Sequence, residues 1–218
     1  MARIVFDLDG TLIDSAPDIH ALANRILQGE GCAPISMAQT RVFIGNGAGV
    51  FVARMRAAAG LPETAQTRLQ EAFVEGYRDA VTLTEPYAHV VEALDRLAGQ
   101  GHALGICTNK PLTPCKAVLR HLGLEARFAT VWGGDSLPAR KPDPAPLHAA
   151  FDALGDGPRL YVGDSEVDAE TAQRAGVPFL LFTQGYRKTA VAQIPHDVAF
   201  DSFADLPGQV AALLDAAT

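Results

Sequence analysis

The stretch "IVFDLDGTLIDS", Ile4 to Ser15, decides how the rest of the chain is read. An apolar, strand-like run stops at Asp7, and a second aspartate, Asp9, follows two positions later. Strand side chains alternate between faces, so a strand running through this stretch places both carboxylates on one side. Two carboxylates held close repel each other unless a cation or a shared proton lies between them. The pattern therefore asks for a metal ion at the end of a buried strand.

Similar apolar runs recur at Ala103–Cys107, Thr130–Trp132, Leu160–Val162 and Pro178–Phe182, with a weaker one at Val198–Phe200. Helical patterns separate them at Pro111–Leu122, Pro144–Leu154 and Val167–Ala175. Strands with no wet face, alternating with helices, indicate a parallel sheet covered on both sides. One connection does not fit. A βαβ unit takes about 30 residues, yet Ile4–Phe6 and Ala103–Cys107 stand much further apart. The intervening "DIHALANRILQGEG", "GVFVARMRAAAG" and "ETAQTRLQEAFVEGYRDA" are helical in pattern. The expectation is an α/β fold: a Rossmann-like, doubly wound parallel core made of residues 1–14 and 83–218. A helical cap of residues 15–82 is inserted after the first strand.

Apolar residues make up 48% of the chain and charged residues 20%, a balance that supports a sizeable core. The net charge of −7 argues against a nucleic-acid surface, which needs clustered Lys and Arg. Cys32, Cys107 and Cys115 form no C-x-x-C pair and read as reduced thiols. No run has the length of a membrane span, and the chain enters a strand with no room for a signal peptide. A cytoplasmic enzyme is the expectation; oligomeric state has no sequence signal.

Ligands of open parallel sheets bind beyond the carboxyl ends of the strands. Here those ends carry Asp7 and Asp9, then Thr108-Asn109-Lys110, then Lys141 in the loop "ARKPDP", then Asp164 with Asp168 one turn further. Phosphoryl transfer uses this whole set. Asp7 and Asp164, with a backbone carbonyl, form an all-oxygen site suited to Mg²⁺. Asp9 and Asp168 are added to the acidic set for that ion, and for Asp168 the alternative is that it only favours the N-terminus of the following helix. Thr108, the Asn109 amide and Lys141 bind the phosphoryl oxygens. Asp9 protonates the leaving oxygen and then activates water. In "FIGNGAGV", Asn46 and Gly47 stand either in a flexible turn that starts a helix or in a cap loop whose N–H groups reach the substrate. The histidines, His20 included, show no metal-ligand spacing.

"DLDGTLIDS", "TNK", "KPDP" and "GDSEVD" resemble, in order, the four motifs of the haloacid dehalogenase superfamily. Within it, "FIGNGAGV", "TNKP", "GGD" and "FTQGY" resemble phosphoglycolate phosphatases. The resemblance spans the chain and implies Asp7 as nucleophile, Asp9 as acid and base, and Thr108 and Lys141 as phosphate ligands. It further implies Asp164 as a ligand of Mg²⁺ and Asp168 as a partner reached directly or through water. The implied substrate is a small phosphate monoester, 2-phosphoglycolate first, with a sugar phosphate or nucleotide as the alternative.

Three relatives fit less well. Dehalogenases of the superfamily lack the second aspartate, and transport ATPases carry threonine there. β-Phosphoglucomutases carry a histidine where this chain has Ile19. A signalling receiver domain also gathers aspartates, a hydroxyl and a lysine at strand ends, but has no helical insertion of this size.

Overall fold

The computed structural model describes residues 1–216. In chain order, β1 (Arg3–Phe6) leads into β2 (Ile13–Asp14) and four helices: α1 (Ala16–Gly29), α2 (Met37–Phe43), α3 (Ala48–Ala58) and α4 (Gln66–Tyr77). The chain returns through β3 (Glu85–Pro86) to α5 (Val90–Gly99), β4 (Ala103–Cys107), α6 (Leu112–His121) and β5 (Thr130–Trp132). It ends with α7 (Ala145–Leu154), β6 (Arg159–Gly163), α8 (Glu166–Ala175), β7 (Phe179–Phe182), β8 (Val198–Phe200) and α9 (Leu206–Ala216).

Six strands pair in the order β5-β4-β1-β6-β7-β8, and every pairing is parallel. Alternation sets the two faces. Ile4, Phe6, Leu104, Ile106, Leu160 and Val162 pack with α5, α6 and α9, whereas Val5, Tyr161, Phe179 and Leu181 pack with α7 and α8. Both faces are dry, which is why the strands read as continuous apolar runs. After β5 the chain crosses back past β1 to lay down β6. That reversal opens a crevice at the carboxyl ends of β4, β1 and β6, where such sheets take ligands.

Helices α1–α4 gather round a separate apolar cluster that includes Leu22, Phe51, Met55, Leu69 and Phe73. A short antiparallel ribbon, which the sequence did not suggest, joins this unit to the sheet: Ile13 pairs with Pro86 and Asp14 with Glu85. Asp18, near the start of α1, accepts from the Leu83 amide at 2.9 Å and the Thr84 hydroxyl at 2.6 Å. The outgoing and returning segments are thereby tied together. The insertion is proposed to work as a cap over the sheet edge.

Candidate active site

β1 stops at Phe6, so the alternation assumed for Asp7 and Asp9 does not reach them. Asp7 still follows the sheet, its amide donating to Val162 O at 2.9 Å. Asp9 lies in the turn beyond, bridged to Ile13. The two carboxylates therefore diverge, and each meets its own lysine. Lys141 Nζ lies 2.9 Å from Asp7 Oδ1, and Lys110 Nζ lies 3.0 Å from Asp9 Oδ1.

The cluster able to hold a cation consists of Asp7, Asp164 and Asp168, whose ligand oxygens lie within 4.8 Å of one another. Gly10 makes it possible. Its φ is +89°, and a Cβ there would lie 2.7 Å from both Asp164 Oδ2 and Tyr186 Cδ2. The two oxygens of Asp164 accept from Thr11 Oγ1 at 2.8 Å and from the Tyr186 amide at 2.6 Å. Asp168 is already filled. Its Oδ1 accepts from Lys141 at 2.7 Å and Tyr161 Oη at 2.8 Å, and its Oδ2 from Ser165 Oγ at 2.6 Å. It also stands at N3 of α8 in a capping box with Ser165. Helix capping and lysine anchoring are thus one residue's work.

Burial, opposed by Lys141 and aided by Asp168, pushes the Asp7 carboxyl up to about 6. Burial likewise raises Asp164 well above the carboxylate range, with Asp168 and Asp7 adding to the rise. Asp168 goes the other way: burial raises it, but Lys141 prevails and its carboxyl is held low. For Lys141, burial works against the charge, and Asp168 and Asp7 outweigh it. The site therefore carries more buried carboxylate than its one lysine satisfies. Asp7 Oδ1 has the Lys141 ion pair but no aligned hydrogen bond. An orphaned Asp7 oxygen beside the carboxylates of Asp164 and Asp168 is an all-oxygen set that fits a hard divalent cation.

Asp7 and Asp9 border two small cavities. One, of about 40 Å³, is lined by Thr108, Asn109 and Lys110 from the sheet and by Gly47, Phe51 and Tyr77 from the helical unit. The other, of about 20 Å³, is lined by Asp164, Ser165 and Lys188 among others. Each has room for only a few waters. Thr108 is buried, and the Asn109 amide has no acceptor among the described residues. The Asn109 side chain donates to Gly45 O and Lys141 O, both at 3.0 Å, and so joins the two units.

Of the sequence-assigned residues, Asp7, Asp9, Thr108, Asn109 and Gly47 line the larger cavity, and Lys141 and Asp164 lie against Asp7. Two placements differ from expectation. The Asp9 carboxylate faces Lys110 rather than the acidic cluster, because the turn at Gly10 carries it away from the strand direction. Asn46 turns to Arg54, whose Nη2 lies 3.3 Å from Asn46 Oδ1, and does not line the cavity. Lys110, Thr11, Tyr161 and Tyr186 contact the assigned carboxylates, yet none of them had a role in the sequence reading. Lys110 had a signal, since it follows Thr108 at the end of β4. Tyr77 had none, being one aromatic among others on an amphipathic helix.

The family model of haloacid dehalogenase-like hydrolases matches residues 4–182. A phosphoglycolate phosphatase of Cereibacter sphaeroides is 48% identical over 217 residues, covering 98% of this chain and 100% of that protein. One from Rhodobacter capsulatus is 44% identical over 211 residues, covering 95% of each. A crystal structure of a predicted phosphoglycolate phosphatase from Haemophilus somnus superposes with a TM-score of 0.90 at 33% identity, covering 95% of this chain and 97% of that one. With the motifs and their geometry in agreement, this chain belongs to the haloacid dehalogenase-like hydrolases.

Proposed function

We propose that the protein is an Mg²⁺-dependent phosphatase that hydrolyses 2-phosphoglycolate through a phosphorylated Asp7. The observation that carries this reading is the pairing of two carboxylates with two different lysines at the crevice. Asp7, beside Lys141, faces the acidic cluster and is the nucleophile. Asp9, set apart on Lys110, borders the larger cavity, where a leaving group belongs. Asp7, Asp164 and, through its contacts, Asp168 would hold Mg²⁺, which when bound offsets the charge between an anionic nucleophile and an anionic phosphate. Thr108, the free Asn109 amide and Lys141 take the phosphoryl oxygens, whose charge rises in the transition state. Asp9 gives a proton to the departing oxygen and then draws one from the water that attacks phospho-Asp7. The small cavity favours a small substrate, and the relatives named above favour phosphoglycolate over a sugar phosphate or nucleotide.

Three unpaired thiols suit the cytoplasm, and among the described residues no helix is long and apolar enough to cross a membrane. The test is turnover of a panel of phosphate monoesters, with and without chelator. The expected result is highest kcat/KM on 2-phosphoglycolate, loss on chelation, and return with Mg²⁺ but poorly with Ca²⁺. Asp7→Asn should fall to background, and Asp9→Asn should lose about 10²–10⁴-fold. Turnover that survives exhaustive chelation, or an active Asp7→Asn, contradicts the reading.

A further inference from the structure

One buried cation takes no part in the chemistry described above. The side chain of Lys110 is 2% exposed and lies outside the acidic cluster. Its Nζ donates to Asp9 Oδ1 at 3.0 Å, to Tyr77 Oη at 2.6 Å and more loosely to Asp9 Oδ2 at 3.4 Å. The same nitrogen sits 3.9 Å from the centre of the Tyr77 ring. The Lys110 main chain is pinned as well: its amide donates to Thr108 Oγ1 at 3.2 Å, and its carbonyl accepts from Gly134 at 2.8 Å. Three elements thus meet at one ammonium: the turn after β1, the end of β4 and the last residue of α4. Burial works against the charge on Lys110, but Asp9 and Tyr77 outweigh it, so the group stays a cation. Burial first, then Asp9, keeps the Tyr77 hydroxyl protonated.

A general acid works only within hydrogen-bond reach of the oxygen it protonates, and a small displacement costs much of its effect. We propose that Lys110, seated by Tyr77 of the helical unit, is a positioning residue that aims the Asp9 carboxyl at the leaving-group oxygen. Acid catalysis is then complete only while α4 lies against the sheet edge. This rests on the reading of Asp9 as the acid. In that step a bond forms between an Asp7 oxygen and phosphorus, the bridging P–O bond breaks, and the Asp9 proton passes to the departing oxygen. Lys110 keeps its protons. The loosely held Oδ2 is the oxygen left to carry the one that moves.

The experiment compares kcat/KM, which reports steps up to phosphorylation of Asp7, on an alkyl and an aryl phosphate. From 2-phosphoglycolate the departing group is the alkoxide of glycolate, which needs a proton, whereas p-nitrophenolate departs without one. Lys110→Met should lower kcat/KM on 2-phosphoglycolate about 10²-fold and on p-nitrophenyl phosphate less than about threefold. Tyr77→Phe keeps the ring, and should show the same selectivity at about tenfold. This variant carries the test if Lys110→Met does not fold. In an Asp9→Asn background, Lys110→Met should cost nothing further. Equal losses on both substrates, or a full additional loss in that background, would overturn the proposal and leave Lys110 a packing residue. If Asp9→Asn is itself indifferent to the leaving group, the acid assignment falls, and this inference with it.

Discussion

Burial decides what Asp7 does before any ligand arrives. In the metal-free protein its carboxyl takes up a proton as pH falls through about 6, above the ordinary range near 4. Between those values the folded state binds more protons than the unfolded one, so this group's share of stability declines as pH rises across that window. A divalent cation needs the deprotonated form, so its binding displaces that proton below about pH 6. Mg²⁺ affinity, measured by calorimetry without substrate, should weaken toward about tenfold per pH unit below that point. An affinity flat across the same range would remove Asp7 from the ion's ligands. Asp164 sharpens the effect, since burial first, and then Asp168 and Asp7, already disfavour its charge.

Among the elements, the start of α3 bears on substrate choice. Gly47 is its N-cap residue, with φ +85° and no side chain satisfying the first-turn amides. A Cβ there would lie 3.1 Å from Arg140 Nη1 and 3.4 Å from Asn109 O, so the loop approaches the sheet edge closely. A helix start of this kind, facing the cavity, suits the carboxylate of a small acid. Gly47→Val strains the backbone in any case, because L side chains avoid that φ. For this reason the informative quantity is the ratio between substrates. kcat/KM should fall about tenfold or more further on 2-phosphoglycolate than on p-nitrophenyl phosphate, equivalent to about 1–3 kcal/mol for a charged hydrogen bond. Equal losses would reduce the loop's part to folding alone.

At the scale of the molecule, polar contacts join the helical unit to the sheet, and Asn109 makes one of them, to Gly45 O, while its second bond, to Lys141 O, holds it in place on the sheet side. The cavities beneath hold little more than water, and parting of the two units is proposed to admit the substrate. Removing the amide should favour the parted arrangement by about 1 kcal/mol, the scale of one net hydrogen bond. Amide exchange over residues 45–50 should therefore quicken in Asn109→Ala, while exchange in β1 and β6 stays slow. Unchanged exchange over that loop would show that apolar contacts around Phe51 and Tyr77 hold the units together.

The sequence by itself determined the parallel sheet and the inserted helices, and it picked out the four strand ends proposed to carry chemistry. Apolar runs such as Ala103–Cys107 have to be buried on both faces, and local patterning records that requirement. Asp7, Thr108, Lys141 and Asp164 were legible because each immediately follows a strand or stands in a loop with its own turn chemistry. Only the tertiary structure decided which charges face each other. The Gly10 turn sends Asp9 to Lys110 and leaves Asp7 to Lys141, a division that two aspartates two residues apart do not encode. Nor does local pattern reveal that Tyr77 reaches Lys110 or that Tyr186 reaches Asp164. Those partners lie far apart along the chain, and docking of the helical unit and the loop after β7 brings them together. Periodicity records which face of an element is buried, but it carries no record of what that face is buried against.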